Sequence, residues 1–324
     1  MQREVIADLR RVIGFDRWCW PLADPETLLP LSGLAEHDYG QRLRRALELE
    51  YAGEDFAAKH DLARRGNAAG SLSSETGGDL ARSPRWDEVL RPAGIGDLAA
   101  AACADALGCW GWIEAYRDDG DRRFEDDDLE LLASVGRSLG TVLRRGLTAR
   151  IYGTAAETST PGVIVLKPDL DVLSSTGPAR EWTDALPAAR MFAEWDMLPA
   201  AVYPVATRAR SRDSAAGAHA LERAVDGRWV MIEAGPLEGD DEGCIAVMLR
   251  HATPEEIFDL LSRAYALSRR ERDVVRGVLN GLDTRAITER LFISPHTVQD
   301  HLKSVFGKIG IHSRRELLAT FNIL

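Results

Sequence analysis

The sequence predicts a multidomain α+β chain whose last segment is all-helical. Three observations carry this. The 324 residues suffice for two or three domains of ordinary size, and 45% apolar with 28% charged residues is the composition of a chain that buries true cores. Short strand patterns bounded by turn residues recur through the first 250 residues. The remainder shows only helical periodicity, broken by caps.

Residues 2–13 set Val5, Leu9 and Val12 at helical spacing, so an amphipathic helix opens the chain. Phe15 to Leu22 reads as a strand with Trp18, Trp20 and Leu22 on one face, closed by Ala23-Asp24-Pro25. Residues 66–84, rich in Gly, Ser and Asn, read as a long surface loop. Cys109 to Tyr116 reads as a second strand, ended by Asp118-Asp119-Gly120. A helix from Asp126 to Arg145 presents Leu129, Leu132, Val135, Leu139 and Val142. Acidic residues stand at its start and Arg144-Arg145 at its end, each complementing the macrodipole. Residues 1–148 form a first α+β domain on this reading.

The polar stretch 153–161 reads as a linker. Val163–Leu166 and Val172–Ser174 form a hairpin around Pro168-Asp169, helical material follows to about residue 210, and three strands cover 220–225, 228–233 and 245–249. Residues 160–250 are thus a second α+β domain. Thr253-Pro254-Glu255-Glu256 starts a connecting helix, 254–265, with Ile257, Leu260, Leu261 and Ala264 on one face.

Residues 266–324 carry four helix signatures. Ser268-x-x-Glu271 caps a helix bearing Val274, Val275, Val278 and Leu279, stopped at Asn280-Gly281. A second begins near Thr284 and carries Ile287 and Leu291. After the turn Phe292-Ile293-Ser294, a third runs from Pro295 with Val298, Leu302, Val305 and Ile309 to Gly310. Ser313-x-x-Glu316 caps the fourth, with Leu317, Leu318, Phe321 and Leu324. Two short helices across a tight turn place the second of them in a major groove. Its outward side chains would be His296, Thr297, Gln299, Asp300 and Lys303. An outward polar face commonly just meets water, so the pattern alone leaves both readings open.

Charge separates them further. The chain carries −11, but residues 262–324 hold eleven Lys/Arg against six Asp/Glu, or +5, leaving −16 on the rest. An acidic body with a basic end is the asymmetry of a protein that meets nucleic acid only at that end.

The runs Leu267–Val275, Gly281–Ile287, Leu291–Leu302 and Lys308–Leu317 together resemble the LuxR/GerE helix-turn-helix over nearly its whole length. The resemblance implies a two-helix motif at 284–303. It implies DNA-backbone contacts near Thr284, Arg285, Thr297, Lys303 and Arg314; by their place on the third helix, Ser294, His296, Gln299 and Asp300 are further candidates, with Gln299 and Asp300 suited to base edges. It also implies a last helix that supports dimerisation. Thr288 stands where alanine is usual, and Gln299 where a basic residue is frequent, which alters the preferred base pairs. Phe15–Pro30, Arg82–Arg85, Arg91–Gly94 and the helix after Phe124 resemble a GAF-like domain of actinobacterial LuxR-type regulators. Gly162–Leu166 followed by Leu170–Ser174 resembles a PAS-like fold. The partners implied are double-stranded DNA, a second copy in a homodimer, RNA polymerase and a small-molecule effector.

Trp18, Trp20, Trp110 and Trp112 are candidates for lining an effector pocket, with core packing as the plain alternative. Trp182, Trp195 and Trp229 stand in the same position. His37 and His60 are the residues a haem or metal would use, but neither has a partner at ligand spacing. The rival reading is therefore a haem or redox sensor, or an enzyme-like module, with DNA binding as output. Cys19, Cys103, Cys109 and Cys244 form no C-x-x-C pair and read as buried free thiols. No receiver-type phosphoacceptor pattern occurs. No catalytic constellation, metal site or cofactor is expected. Nor is a membrane span or signal peptide, and the location implied is cytoplasmic.

Overall fold

The computed structural model describes residues 2–36, 39–51, 55–64, 69–148, 160–187, 197–211, 217–239 and 243–321. It falls into two units, residues 1–143 with 158–251 and residues 144–157 with 252–324.

The first unit opens with α1 (Gln2–Ile13), β1 (Arg17–Ala23), β2 (Pro30–Ala35), α2 (Leu43–Tyr51), α3 (Lys59–Arg64), β3 (Ala69–Ser71) and α4 (Leu72–Glu75). Then come β4 (Ile95–Asp105), β5 (Gly108–Asp118) and α5 (Asp126–Thr148), whose residues from Arg144 onward count with the second unit. The strands form one antiparallel sheet in the order β2-β1-β5-β4-β3. α1 buries Ile6, Leu9 and Ile13, while Val12 is 69% exposed, so its apolar face is rotated from the one predicted. The predicted loop at 66–84 is corrected over its described part. Residues 69–71 pair with β4, and Ser71 caps the turn of helix at 72–75.

β4 contradicts local propensity. Its run Leu98-Ala99-Ala100-Ala101-Ala102 belongs to the best helix-forming residue, yet it lies between β3 and β5 with both faces covered. Small side chains there let α5 lie directly on the strand. A Cβ added at Gly136 or Gly140 would overlap the backbone of Ala102 or Ala104. Leu132 and Leu139 of α5 join α1 in one core with Trp18, Trp20, Ile113 and Ala115, whereas Val142 is left exposed.

The second sheet is built from β6 (Gly162–Leu166), β7 (Val172–Ser175), β8 (His219–Arg223), β9 (Trp229–Pro236) and β10 (Ile245–His251), with α6 (Gly177–Ala185) and α7 (Val202–Arg210) between β7 and β8. Its order is β7-β6-β10-β9-β8, again antiparallel. The predicted hairpin and the three later strands are all present, with ends shifted by at most three residues. The two sheets do not have separate cores. Leu29, Leu47 and Tyr51 from the first half pack among Ile164, Val205, Ile232 and Val247 of the second. The carboxylate of Asp24 accepts from Leu221 N (2.9 Å), and that of Glu222 accepts from Ser32 N (3.1 Å).

The second unit contains α8 (Pro254–Ala264), α9 (Arg269–Leu279), α10 (Thr284–Leu291), α11 (Pro295–Ile309) and α12 (Arg314–Thr320). Both predicted capping boxes form, Thr253 with Glu256 and Ser268 with Glu271. Ser294 caps α11 behind Pro295, Gly310 ends it in the left-handed region, and Ser313 caps α12. α10 is capped by Asp283, which accepts from Ala286 N (2.7 Å). Phe258 and Leu261 of the predicted connecting helix pack against Val274, Val278, Ile287, Leu302 and Phe321, so α8 shares the core of the helices that follow it.

Among the described residues no helix is long and apolar enough to cross a membrane. Of the cysteines, Cys103, Cys109 and Cys244 are buried, Cys19 is half-buried, and all four are unbridged.

Candidate nucleic-acid interface and ligand cavity

α11 is held by one face and presents the other. Val298, Leu302 and Val305 are buried against α9 and α10. His296, Gln299, Asp300 and Lys303 are exposed, while Thr297 is half-buried at the first turn. The predicted outward residues therefore share one surface, and they are partly organised by each other. Ser294 Oγ and Thr297 Oγ1 lie 2.9 Å apart, and Thr297 N donates to Ser294 Oγ at 3.1 Å. His296 Nε2 stands 3.5 Å from Asp300 Oδ2 one turn on. Gln299 Nε2 reaches back 3.4 Å to Thr284 Oγ1, linking α11 to the start of α10. Arg285 pairs with Glu289 at 3.0 Å and is 87% exposed. Arg314 differs: its Nε and Nη2 are shielded from water with no hydrogen-bond partner among the described residues.

One buried carboxylate fixes α11 to α9. Glu271 Oε2 accepts from Ser268 N and from Lys308 Nζ, both at 2.6 Å, and Oε1 accepts from Ser304 Oγ at 2.6 Å. Lys308 also donates to Ala266 O at 2.9 Å. Burial alone would raise the Glu271 carboxyl, but the donors from Lys308, Ser304 and Ser268 outweigh it and hold the pKa at about 2. Lys308 is thus spent inside the domain, whereas Lys303 is exposed on the outer face of α11.

The four candidate tryptophans do not share one face of the sheet. Strand register pairs Trp18 with Ala115, which puts Trp18 and Trp20 on the sheet face of Ile113 and Ala115. Trp110 and Trp112 have the opposite parity, and Trp112 packs with Leu62, Ala100 and Ala102 on the other face. All four are buried, and none lines either of two cavities in the first unit. Trp182 is likewise buried, with its indole N–H donating to Thr160 O (3.0 Å), and Trp229 is half-buried beneath the Arg223 guanidinium. Trp195 and His37 lie outside the described residues. His60 is buried against the ring of Tyr51, and burial pushes its pKa down. Among the described residues no three His, Cys, Asp or Glu side chains are placed to hold a metal ion.

One of the two cavities encloses about 280 Å³ between β1, β2 and α2. The other, about 580 Å³, lies beside β6, β7 and α6. Apart from Glu36, which pairs with Arg10, the first gathers its charged groups in one cluster, which sequence reasoning missed. There Lys59 Nζ donates to Glu50 Oε2 (2.8 Å) and to Glu114 Oε1 (2.6 Å). Tyr116 OH donates to Glu114 Oε2 (2.9 Å), and Tyr39 OH lies 2.7 Å from Tyr116 OH. Arg85 stands 3.2 Å from Glu50 and 2.7 Å from Asp55. Lys59, Glu50, Glu114 and Arg85 are all under 5% exposed. Burial would raise Glu50, yet Lys59 and Arg85 bring it to about 2. Burial would lower Lys59, and the two carboxylates raise it instead. Burial and the nearby Glu114 charge keep Cys19, Tyr39 and Tyr116 protonated. The one visible signal was Glu114 itself, a lone acid between Ile113 and Ala115 in an otherwise apolar strand.

Residues 265–321 match the family described as bacterial regulatory proteins, luxR family (GerE). Similar proteins match only short stretches of the chain. A Mycobacterium bovis protein, Mb0914c, provisionally named an HTH-type transcriptional regulator, is 51% identical over 53 residues, 16% of this chain and 6% of its own length. The fimbriae Z protein of Escherichia coli is 37% identical over 57 residues, 18% of this chain and 27% of its own. The chain therefore spans 6% to 27% of the length of these relatives. Among solved structures, the phage VqmA–DPO complex is similar at 17% identity and TM-score 0.21, covering 54% of this chain and 86% of that one. The E. coli DhaR(N)–DhaL complex is similar at 17% identity and TM-score 0.26, covering 78% and 85%. At such TM-scores neither likeness bears on the fold.

Proposed function

We propose, from the premise that residues 265–321 are a luxR-family helix-turn-helix domain, that this chain is a sequence-specific transcriptional regulator that reads DNA through α11. The observation that carries the reading is the polar outer face of α11, held rigid by a capped apolar core in a segment of charge +5. Thr284, Arg285, Ser294, Thr297, Lys303 and Arg314 meet the phosphate backbone, while His296, Gln299 and Asp300 face base edges. Asp300 suits a cytosine amino group, and His296 one turn before it keeps its carboxylate oriented. The protein acts as a homodimer on a two-part operator, in the cytoplasm, and engages RNA polymerase there. The first unit holds the GAF-like (1–148) and PAS-like (160–250) domains and is the sensor. A ligand or partner there changes DNA affinity only through different affinity for two arrangements of the chain.

The test is binding of the full chain to its selected operator across a salt series. Lys303→Ala weakens binding to all duplexes and lowers the salt slope by about one unit, whereas Gln299→Ala relaxes preference at one or two base pairs. If both variants bind like the parent at moderate salt, α11 is not the reading element.

A further inference from the structure

The smaller cavity of the first unit has the makings of an effector site, and its polar end says what class of molecule it accepts. Its walls are apolar apart from Glu36, which is paired with Arg10, with Pro30, Leu31, Leu43 and Leu47 among them, and at about 280 Å³ it is close to the lower bound for small-molecule sites. At the polar end the charges already pair with each other at 2.6–3.2 Å, Lys59 between Glu50 and Glu114, and Arg85 against Glu50 and Asp55. A ligand bearing its own full charge would meet buried counter-charges that are already committed, a costly burial. A neutral polar group meets no such penalty. Hydrogen-bonding capacity remains for it. Lys59 has three N–H donors and gives two to the carboxylates, and the Glu114 carboxylate has about four lone pairs for the three donors it receives from Lys59, Tyr116 and the Cys19 thiol. One donor and one acceptor side by side match a hydroxyl or a primary amide, which can serve both.

The cavity is also placed to report. Glu50, Ala46, Leu47 and Leu43 come from α2, while Ala200 and Pro204 come from the second half of the unit, where α7 packs on α2. An occupant touches both halves at once, so its binding free energy acts directly on how α2 and α7 pack.

We propose that this cavity binds an uncharged amphiphile, an apolar body with a single hydroxyl or primary amide seated on Lys59 and Glu114. The proposal rests on the sensor reading above and gives it a site and a ligand class. Three probes of one shape test it by calorimetry on the full chain: 3-phenylpropan-1-ol, 3-phenylpropionate and 3-phenylpropylamine. The alcohol is expected to bind saturably, with the anion and the cation each at least about tenfold weaker. Ala46→Leu, which fills the cavity, is expected to abolish binding with an unchanged circular-dichroism melt. Should that variant melt early, Leu43→Phe takes its place. The proposal is overturned if a charged probe is preferred, if no probe saturates, or if a folded filled variant still binds the alcohol. Duplex binding of the same preparation is measured alongside. Intact duplex binding with no probe binding removes this site and leaves the regulator reading standing, and the converse result does the reverse.

Discussion

Glu271→Gln removes one charge from the point where α9 grips α11. In the parent, the carboxylate takes three donors at 2.6 Å: Ser268 N, Ser304 Oγ and Lys308 Nζ. Glutamine has the length to keep a bond to Ser268 N or Ser304, but it leaves Lys308 without its anion. The folded pKa is about 2, against about 4.3 in the unfolded chain, so the pairing is worth about 3 kcal/mol at about 1.4 kcal/mol per pH unit. Lys308 is a third exposed, and solvent screening reduces the figure to about 2 kcal/mol. Because the folded value lies below the unfolded one, this stability is complete above pH 4.3 or so and is lost as pH falls toward 2. Amide hydrogen exchange at pH 7 on the full chain reads it. Protection across 269–279 and 295–309 should fall about thirtyfold in the variant, with β4 and β5 unaffected. Unchanged protection in both helices would refute the assignment of Glu271 as the clamp. Equal loss in β4 and β5 would show instead that the effect is not local to the second unit.

Glu222 behaves with the opposite sign. Burial, with Asp24 adding to it against the bonds from Ser32, raises its carboxyl to about 7, so the first unit loses stability as pH rises from about 4.5 through 7. Glu222→Gln should stabilise that unit by about 2–3 kcal/mol at pH 8 and by little at pH 4.5, measured by urea unfolding followed through tryptophan fluorescence. Gly140→Ala forces a methyl into the backbone of Ala104 and should cost about 2 kcal/mol or more in the same assay, while Gly146→Ala, with open space around it, should not. Phe292 is 94% exposed with φ +55°, so Phe292→Gly should leave thermal stability of the second unit unchanged or slightly higher, whereas Phe292→Val should lower it by about 1 kcal/mol. A large loss on Phe292→Gly would mean the ring packs on something.

The second unit was legible in the sequence because its signals are local. Ser268-x-x-Glu271, Ser294-Pro295 and Gly310 each fix a helix end within a few residues, and the stripe Val298, Leu302, Val305 fixes which side of α11 is buried. Composition told which end of the chain is basic. Even there, the reach of Lys308 across to Glu271 was invisible, since it joins side chains 37 residues apart.

In the first unit the sequence determined where the strongly patterned strands and α5 lie. It could not say which strands are neighbours, and that decides everything else. The alanines of β4 are a strand only because β3, β5 and α5 enclose them. The tryptophans fall on two faces because register sets their parity. The cavity's polar end draws Glu50, Lys59, Arg85 and Glu114 from four separate segments, and the first three alone read as surface charges. Caps and periodicity are properties of a few successive residues. Burial of a charge depends on what the fold brings to it, and only the tertiary structure supplies that.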